Sequence, residues 1–156
     1  MRYLGLDYGE KTVGVALTDA LLLTAQPYET IFRKEENKLR RTLARIEEIC
    51  REQEVGKIIL GLPVSMDGSD SKTTEKARAF KEMLERRTHL PVLFQDERLT
   101  TVEADEILNE MGVPAFERKA YIDKIAASVI LRDYMNSAEA VERKAAGEKN
   151  SEKENE

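Results

Sequence analysis

In the first fifth of the chain, three short segments have the character of strands, at residues 3–6, 12–17 and 25–32, and a glycine-containing turn separates the first two. Runs of this length bounded by turn residues are typical of β-strands. Pro27 lacks the N–H group that an interior strand uses for pairing, so the third run is predicted to be an edge strand. Three strands in succession predict an antiparallel meander.

Beyond residue 34, helical and strand patterns alternate. Apolar residues recur at spacings of three and four over residues 35–54, which predicts an amphipathic helix. The continuous apolar run at 57–62 predicts an interior strand covered on both faces. The later patterns predict a helix at 71–87, a strand at 91–95, a helix from the capping box at 100–103 to residue 112, and a helix at 116–141.

The resulting order, β-β-β-α-β-α-β-α-α, predicts an α/β fold. Its sheet is a mixed five-stranded one, in which the antiparallel meander is joined by two parallel strands and flanked by helices. We expect one domain over residues 1–138, because no linker or internal repeat interrupts it. Residues 139–156 are a polar C-terminal extension; beyond Ala145 the sequence has no apolar face to bury, and this last part is expected to be disordered.

The same sequence predicts a cytoplasmic protein without membrane contact. No apolar stretch approaches the roughly 18 residues of a membrane span. The first predicted strand begins within three residues of Met1, which leaves no room for a signal peptide. Cys50 is the single cysteine, so nothing indicates an oxidising compartment. It lies on an apolar helical stripe and is assigned a structural role, as is His89 in a loop.

The net charge of −5 does not by itself indicate a nucleic-acid-binding protein. Local basic clusters matter more than this total. One cluster comprises Arg33, Lys34, Lys38, Arg40, Arg41 and Arg45, and a second comprises Lys72, Lys76, Arg78 and Lys81. Solvated helix faces explain these clusters as well as a polyanion-binding surface does.

Asp7 stands at the end of the first strand, where low β-propensity and the cost of desolvation both disfavour an acid. Strand alternation puts Tyr3 and Gly5 on the same face as Asp7, and Gly5 leaves open space beside the carboxylate. Gly14 in the opposing strand is also small, which indicates that something approaches the backbone closely. A turn-capping aspartate is the alternative explanation.

Two further acids lie where ligand sites form in α/β sheets. Glu97 follows the fifth strand, and only one of Asp96 and Glu97 can face the site if the strand continues through both. Asp123 precedes Ala126 and Ala127, whose small side chains would let the last helix approach the sheet. Taken singly, an ordinary charged loop and a helix-flank acid explain these two positions equally well.

Together the three acids predict a metal site. Clustered carboxylates repel one another unless a cation offsets their charge. Oxygen ligands without a histidine or cysteine cluster favour Mg²⁺ or Mn²⁺. Two such ions about 3.5–4 Å apart can activate water and stabilise the leaving oxygen of a phosphodiester.

Five motifs occur in order along the chain: residues 5–9, 14–16, 61–63, 96–101, and Asp123 with 126–127. This ordered set resembles the YqgF family, also called the Holliday-junction resolvase or pre-16S ribosomal RNA nuclease family. The resemblance implies an RNase H-like fold in which Asp7, Glu97 and Asp123 are the catalytic, metal-binding triad for phosphodiester hydrolysis. It also implies a role in maturing the 5′ end of 16S rRNA, or in cleaving Holliday junctions. Related junction resolvases carry a further acid where this chain has Ala126, which favours the RNA substrate.

Two cations next to the triad are candidate nucleic-acid-binding residues. Lys11 and Arg98 lie close in sequence to Asp7 and Glu97 and are predicted to contact phosphates. Pairing with the neighbouring acids explains them equally well. The polar loop at 63–70 could contact substrate or be an unoccupied surface turn.

Four functions are therefore carried forward. The first is a divalent-metal-dependent endonuclease acting on structured RNA, with pre-16S rRNA favoured. The second is a DNA junction resolvase with the same centre, which calls for a two-fold dimer, so the chain is expected to be a monomer or a homodimer. The third is a non-catalytic RNA-binding module. The fourth is ATP binding, because the first two motifs also resemble the phosphate-binding hairpin of sugar kinases and actin-like ATPases. Those proteins close two such domains around ATP, whereas 156 residues supply one domain.

Overall fold

A computed structural model describes residues 1–63, 72–97 and 101–137 of the chain. The elements in this part are β1 (Arg2–Tyr8), β2 (Thr12–Thr18), β3 (Ala25–Phe32), α1 (Arg40–Glu52), β4 (Val55–Pro63), α2 (Lys72–Thr88), β5 (Val92–Glu97), α3 (Thr101–Glu110) and α4 (Arg118–Met135). A 3-10 turn at Ala115–Glu117 precedes α4. None of the helices in these ranges is long and apolar enough to cross a membrane.

The five strands form one mixed sheet in the order β3-β2-β1-β4-β5. The pairs β1–β2 and β2–β3 are antiparallel, whereas β1–β4 and β4–β5 are parallel. The predicted fold class is therefore confirmed, including the edge position of the strand that contains Pro27. Because β1, β4 and β5 run in the same direction, their carboxyl ends meet at one end of the sheet, where α/β folds place ligands.

The two faces of the sheet are covered by different helices. On one face, Leu4 and Leu6 of β1 belong to a buried core with Ile46 of α1 and Phe80 of α2. On the opposite face, α4 packs its own apolar stripe onto the strands. The buried residues of this second core are Ala16, Ile59, Ala127, Ile130, Leu131 and Tyr134. The alternation along β1 thus divides the strand between two cores, as its period of two requires.

Helix α4 approaches β1 unusually closely. A Cβ atom on Gly5 would lie 2.8 Å from Cβ of Leu131 and 2.9 Å from the carbonyl oxygen of Ala127. Ala126 and Ala127 are buried, which confirms that small residues let this helix approach the sheet. The expectation of open space beside Asp7 was wrong, because α4 fills the room that Gly5 leaves.

Helix α1 begins later than the periodicity predicted, at Arg40 instead of near residue 35. Residues 35–38 are polar and bury no apolar face, so nothing packs them as a helix. The side chain of Arg33 instead holds the segment by donating from Nε to the carbonyl oxygen of Glu36 at 3.1 Å. Helix α4 begins at Arg118, two residues later than predicted, because the 3-10 turn precedes it.

Several predictions fall on residues outside the described ranges. These are the threonine at 100 that opens the capping box, most of the loop at 63–70, the last predicted residues of the final helix and the polar extension at 139–156. The assignment of residues 1–138 to one domain and 139–156 to an extension therefore stays a prediction.

Candidate active site

Asp7 is the next-to-last residue of β1 and pairs with Gly14 of β2 across the antiparallel ladder. Its side chain points to the face that α4 covers, because it alternates with Leu6 of the other core. The pKa of Asp7 is raised to about 8, first by burial, then by the negative charge of Glu97 and a hydrogen bond with it, and last by the charge of Asp123. The acid that looked misplaced in a strand therefore lies in a setting that disfavours its charged form.

Glu97 is the last residue of β5 and pairs with Pro63 of β4. Its side chain leans across β4 toward Asp7, and its Oε2 lies 3.3 Å from the point where a Cβ atom on Gly61 would sit. The two carboxyl groups share a hydrogen bond above β4. Asp96 is exposed, in accord with the expectation that only one of these two neighbours faces the site.

Asp123 lies on α4, and its backbone is packed against the sheet beside Asp7. Its carbonyl oxygen and carbonyl carbon occupy the space that a side chain on Gly14 would need. Because Gly14 is the pairing partner of Asp7, this contact brings α4 against β2 directly beside the partly buried acid. The charge of Asp123 reaches Asp7 and raises its pKa, although less than burial and Glu97 do.

The three acids are neighbours, but they do not form a closed cage. Within the described residues, no three histidine, cysteine or acidic side chains make a ready metal-binding group. The donor chemistry nevertheless fits a hard divalent cation, since carboxylate oxygens are the ligands that Mg²⁺ and Mn²⁺ prefer. A cation would also offset the repulsion that raises the pKa of Asp7. Asp7 and Glu97 would hold it, with Asp123 as the nearest further donor.

One of the two predicted phosphate contacts, Lys11, lies within the described residues. Lys11 is exposed in the turn between β1 and β2, at the same end of the sheet as Asp7. Arg98 lies outside the described residues, immediately after Glu97. Both assignments stay predictions.

Cys50 and His89 lie apart from this end of the sheet. Burial raises the pKa of the Cys50 thiol to about 12, so it is protonated and inert at neutral pH. His89 is exposed and adopts a left-handed conformation with φ of 59° directly after α2. Its N–H donates to the carbonyl oxygen of Glu85, which is the arrangement of a helix C-terminus.

Arg33 supports the site in a way that sequence reasoning did not identify. Its guanidinium Nη2 donates to the carbonyl oxygen of Gly9, and its carbon Cζ lies 5.0 Å from the ring centre of Tyr8. Arg33 therefore holds the two residues that follow Asp7. The only sequence signal was a basic residue directly after an apolar strand. Arg45, assigned to the same basic cluster, instead makes a two-pronged ion pair with Glu29 at 2.7 and 2.9 Å.

Comparison with known proteins places the chain in a family. The model of the family described as "RuvX: Holliday junction resolvase" matches residues 1–137.

This chain belongs to the RuvX family.

Individual members of the RuvX family are similar over the same region. A protein of Lachnospira eligens is 57% identical over 137 residues, which cover 88% of this chain and 98% of that one. A protein of Agathobacter rectalis is 52% identical over 136 residues, covering 87% and 95%. Both are provisionally named pre-16S rRNA nuclease. The resemblance found in the sequence motifs and the assignment to a nuclease family are therefore confirmed.

Solved structures confirm the RNase H-like fold of this RuvX chain. RuvC of Thermus thermophilus superposes with a TM-score of 0.54 over 87% of this chain and 95% of that one, at 13% identity. The same protein in complex with a Holliday junction substrate gives a TM-score of 0.53 at 14% identity, with 88% and 98% coverage. At this level of identity the likeness concerns the fold alone.

Proposed function

We propose that this chain is a divalent-metal-dependent endonuclease that hydrolyses phosphodiester bonds in the precursor of 16S rRNA, near its 5′ end. The observation that carries the proposal is the hydrogen-bonded pair of Asp7 and Glu97 at the carboxyl ends of β1 and β5. Two partly buried carboxyl groups that share a hydrogen bond cost stability, and no packing need explains them. Asp123 on α4 completes the predicted triad.

The roles of the residues follow from their placement. Bound Mg²⁺ or Mn²⁺ would supply an activated water and stabilise the leaving oxygen. Asp7 and Glu97 would hold the ion, and Asp7 must release its proton to do so because a ligating carboxylate is ionised. Asp123, fixed by the contact between α4 and Gly14, would contribute from the helix side. Lys11 and Arg98 would position the phosphates of the substrate.

RNA is the substrate that the relatives favour. Proteins 42–57% identical to this chain share the provisional name pre-16S rRNA nuclease. Ala126, one helical turn beyond Asp123, is buried and cannot act as the further acid that the resemblance assigns to junction resolvases. A protein that trims a bacterial ribosomal RNA precursor works in the cytoplasm, where that RNA is made, so we place the protein there.

A DNA junction is the second candidate substrate. The family is described by Holliday junction resolution, and RuvC shares the fold. Resolution of a four-way junction needs two active sites related by a two-fold axis, so it requires a homodimer. A monomeric protein under the conditions of cleavage would count against this candidate.

The deciding experiment offers precursor 16S RNA and a four-way DNA junction side by side, with Mg²⁺ or Mn²⁺ and without either. The Asp7→Asn protein is the control for the catalytic centre, and the Asp96→Asn protein is the matched control at the exposed neighbour of Glu97. Cleavage of the RNA that is abolished only in Asp7→Asn supports the proposal. Cleavage of the junction alone would transfer the same centre to DNA. RNA binding without cleavage under either metal would leave a non-catalytic RNA-binding module.

A further inference from the structure

A basic groove lies between the end of β3 and the start of α1. Its volume is about 650 Å³, and nine residues from positions 32–41 line it. Five of the nine are basic and one, Glu35, is acidic. The basic residues are Arg33, Lys34, Lys38, Arg40 and Arg41. A pocket with this excess of positive charge attracts an anion.

The first turn of α1 contains residues that disfavour a helix N-terminus. Arg40 and Arg41 occupy the first turn, which contains no acid, and Leu39 at the N-cap makes no side-chain hydrogen bond. The positive end of the helix dipole favours acids there, and the first backbone N–H groups need acceptors. An anion in the groove would meet both needs. Stability of α1 alone therefore gives no reason for two arginines at this position.

Arg33 adds a buried positive charge to the wall of the groove. Its side chain is 9% exposed, and Nη1 is buried with no acceptor within the described residues. Its Nε and Nη2 donate to the backbone carbonyl oxygens of Glu36 and Gly9, which fix this charge beside the groove. The other cations of the groove, unlike Arg33, are exposed. Among the residues that the structure describes, these exposed cations form one ion pair, between Lys38 and Glu35 at 3.6 Å, and both of its side chains are exposed.

The groove adjoins the candidate active site. The backbone N–H of Arg33 donates to the carbonyl oxygen of Lys11 at 2.8 Å, and its Nη2 donates to that of Gly9. The groove therefore lies at the end of the sheet that carries Asp7, on the α1 face of the turn that follows it. A polyanionic chain that crosses this end of the sheet would contact both.

An aromatic side chain at the rim indicates what kind of anion fits. Phe32, the last residue of β3, lines the groove and is 69% exposed. A positively charged groove with an exposed aromatic ring is the arrangement by which proteins hold single-stranded nucleic acid, since bases stack on the ring while cations follow the backbone. Binding of a free phosphate or of an acidic peptide would not explain why an aromatic ring is exposed at this position.

We infer that this groove binds a single-stranded segment of the nucleic-acid substrate, with phosphates at Arg40 and Arg41 and a base on Phe32. The inference rests on the proposed nuclease function and names the surface that guides the strand to Asp7. The strand passes from the groove over the turn at Gly9 to the carboxylate pair.

The test measures binding of the full-length protein to a fluorescent stem–loop RNA with a single-stranded 5′ extension, in EDTA so that no cleavage occurs. Three variants are compared: Arg40→Gln with Arg41→Gln, Phe32→Ala, and Arg51→Gln with Arg86→Gln as the charge-matched control. The control arginines lie near the carboxyl ends of α1 and α2, at the opposite end of the sheet. Thermal unfolding of each variant checks that the fold is retained.

Log K for RNA binding falls linearly with the logarithm of the salt concentration. We expect the groove double variant to reduce the magnitude of this slope by about 0.7 for each phosphate that the variant no longer binds. Phe32→Ala should weaken binding about 5-fold or more with the slope unchanged, because stacking carries no charge. The control pair should bind as the wild type does. Equal slopes for the groove and control pairs, or an unaltered affinity in Phe32→Ala, would overturn the inference.

Cleavage assays on the same variants separate this inference from the proposed function. With Mg²⁺ or Mn²⁺, the groove double variant should raise KM and leave kcat unchanged, because Arg40 and Arg41 lie away from the carboxylates. Binding that responds to the groove variants in a protein that cleaves nothing would reject the nuclease function and keep the groove. Cleavage with unchanged KM in all three variants would reject the groove and keep the nuclease.

Discussion

The backbone carbonyl of Asp123 occupies the space that a side chain on Gly14 would fill. Gly14 pairs with Asp7, so this contact holds α4 against β2 directly beside the strand that carries the partly buried acid. The obstructing atoms belong to the backbone, which moves only if the helix moves. The missing side chain at residue 14 is thus what lets Asp123 lie close to Asp7.

Substitution of Gly14 by alanine should therefore displace α4 and impair activity. The new methyl group would overlap the carbonyl of Asp123, and overpacking of this kind costs about 1–3 kcal/mol. We expect a lower free energy of unfolding and no cleavage under conditions where the variant is still folded. Urea unfolding and the cleavage assay with Mn²⁺ measure the two effects.

Gly56→Ala is the matched control, since it makes the same change in a strand of the same sheet. A Cβ atom on Gly56 would meet the side chain of Met1, which is 63% exposed and can move aside. Its activity should equal that of the wild type. Equal reductions of activity in the two variants would show that added bulk in the sheet, and not the contact with Asp123, is responsible.

The stability of the metal-free protein should fall as pH rises, because of Asp7. Its pKa is about 8 in the folded chain, whereas the ordinary value of 3.8 applies to the unfolded chain. The folded state therefore holds a proton that the unfolded chain releases between these values, so the contribution is fully present below 3.8 and is lost as pH rises through 8. Asp7→Asn carries no such proton. In EDTA, the free energy of unfolding of Asp7→Asn relative to that of the wild type should therefore rise by roughly a kcal/mol or more between about pH 5 and about pH 9.

Urea titrations of the two proteins at these pH values measure the difference. Asp96→Asn, with the same chemical change at an exposed site, corrects for general effects of removing one carboxylate. A wild type and Asp7→Asn pair whose stability difference does not change with pH would contradict the assigned environment of Asp7.

Binding of Mn²⁺ should release a proton near neutral pH. Asp7 is protonated there in the metal-free protein and must ionise to become a ligand. Calorimetric titrations in buffers of different ionisation enthalpy count the released protons, and we expect about one per bound protein at pH 7. Asp7→Asn should bind weakly and release none. Tight binding without proton release would mean that the ion sits away from Asp7.

The ion pair between Glu29 and Arg45 should support the sheet edge. Both carboxylate oxygens of Glu29 accept from the guanidinium, which ties β3 to α1 and lowers the pKa of Glu29. The pair is partly exposed, so solvent screening limits it to about 0.5–1 kcal/mol. The contribution is present above 4.5, the ordinary pKa of this acid, and is lost as pH falls through the lowered value.

A double-mutant cycle of Glu29→Gln and Arg45→Gln measures this coupling at neutral pH and again in acid. Glu35→Gln breaks a longer, exposed pair with Lys38 and should leave the unfolding midpoint unchanged. A coupling energy that persists in acid would assign the effect to packing of the side chains instead of charge.

Sequence patterns were sufficient for the sheet, and they also named three acids whose catalytic role stays a prediction. Strand alternation separated Leu4 and Leu6 from Asp7, and Pro27 indicated the edge, because both signals lie within a few residues. The ordered motifs were sufficient for the family. The start of α1 was wrong by about five residues, since polar residues at 35–38 can extend a helical pattern without any face to bury.

The sequence by itself determined which residues are candidates for the chemistry, and the tertiary structure decided which of them meet. Asp7 and Glu97 lie 90 positions apart and share a hydrogen bond only because β4 stands between their strands with Gly61 beneath the carboxylate. Arg45 and Arg40 look alike in one basic cluster, yet one is paired with Glu29 and the other lines an open groove. Periodicity and propensity are local, whereas charge pairing, burial and close approach depend on neighbours that only packing brings together.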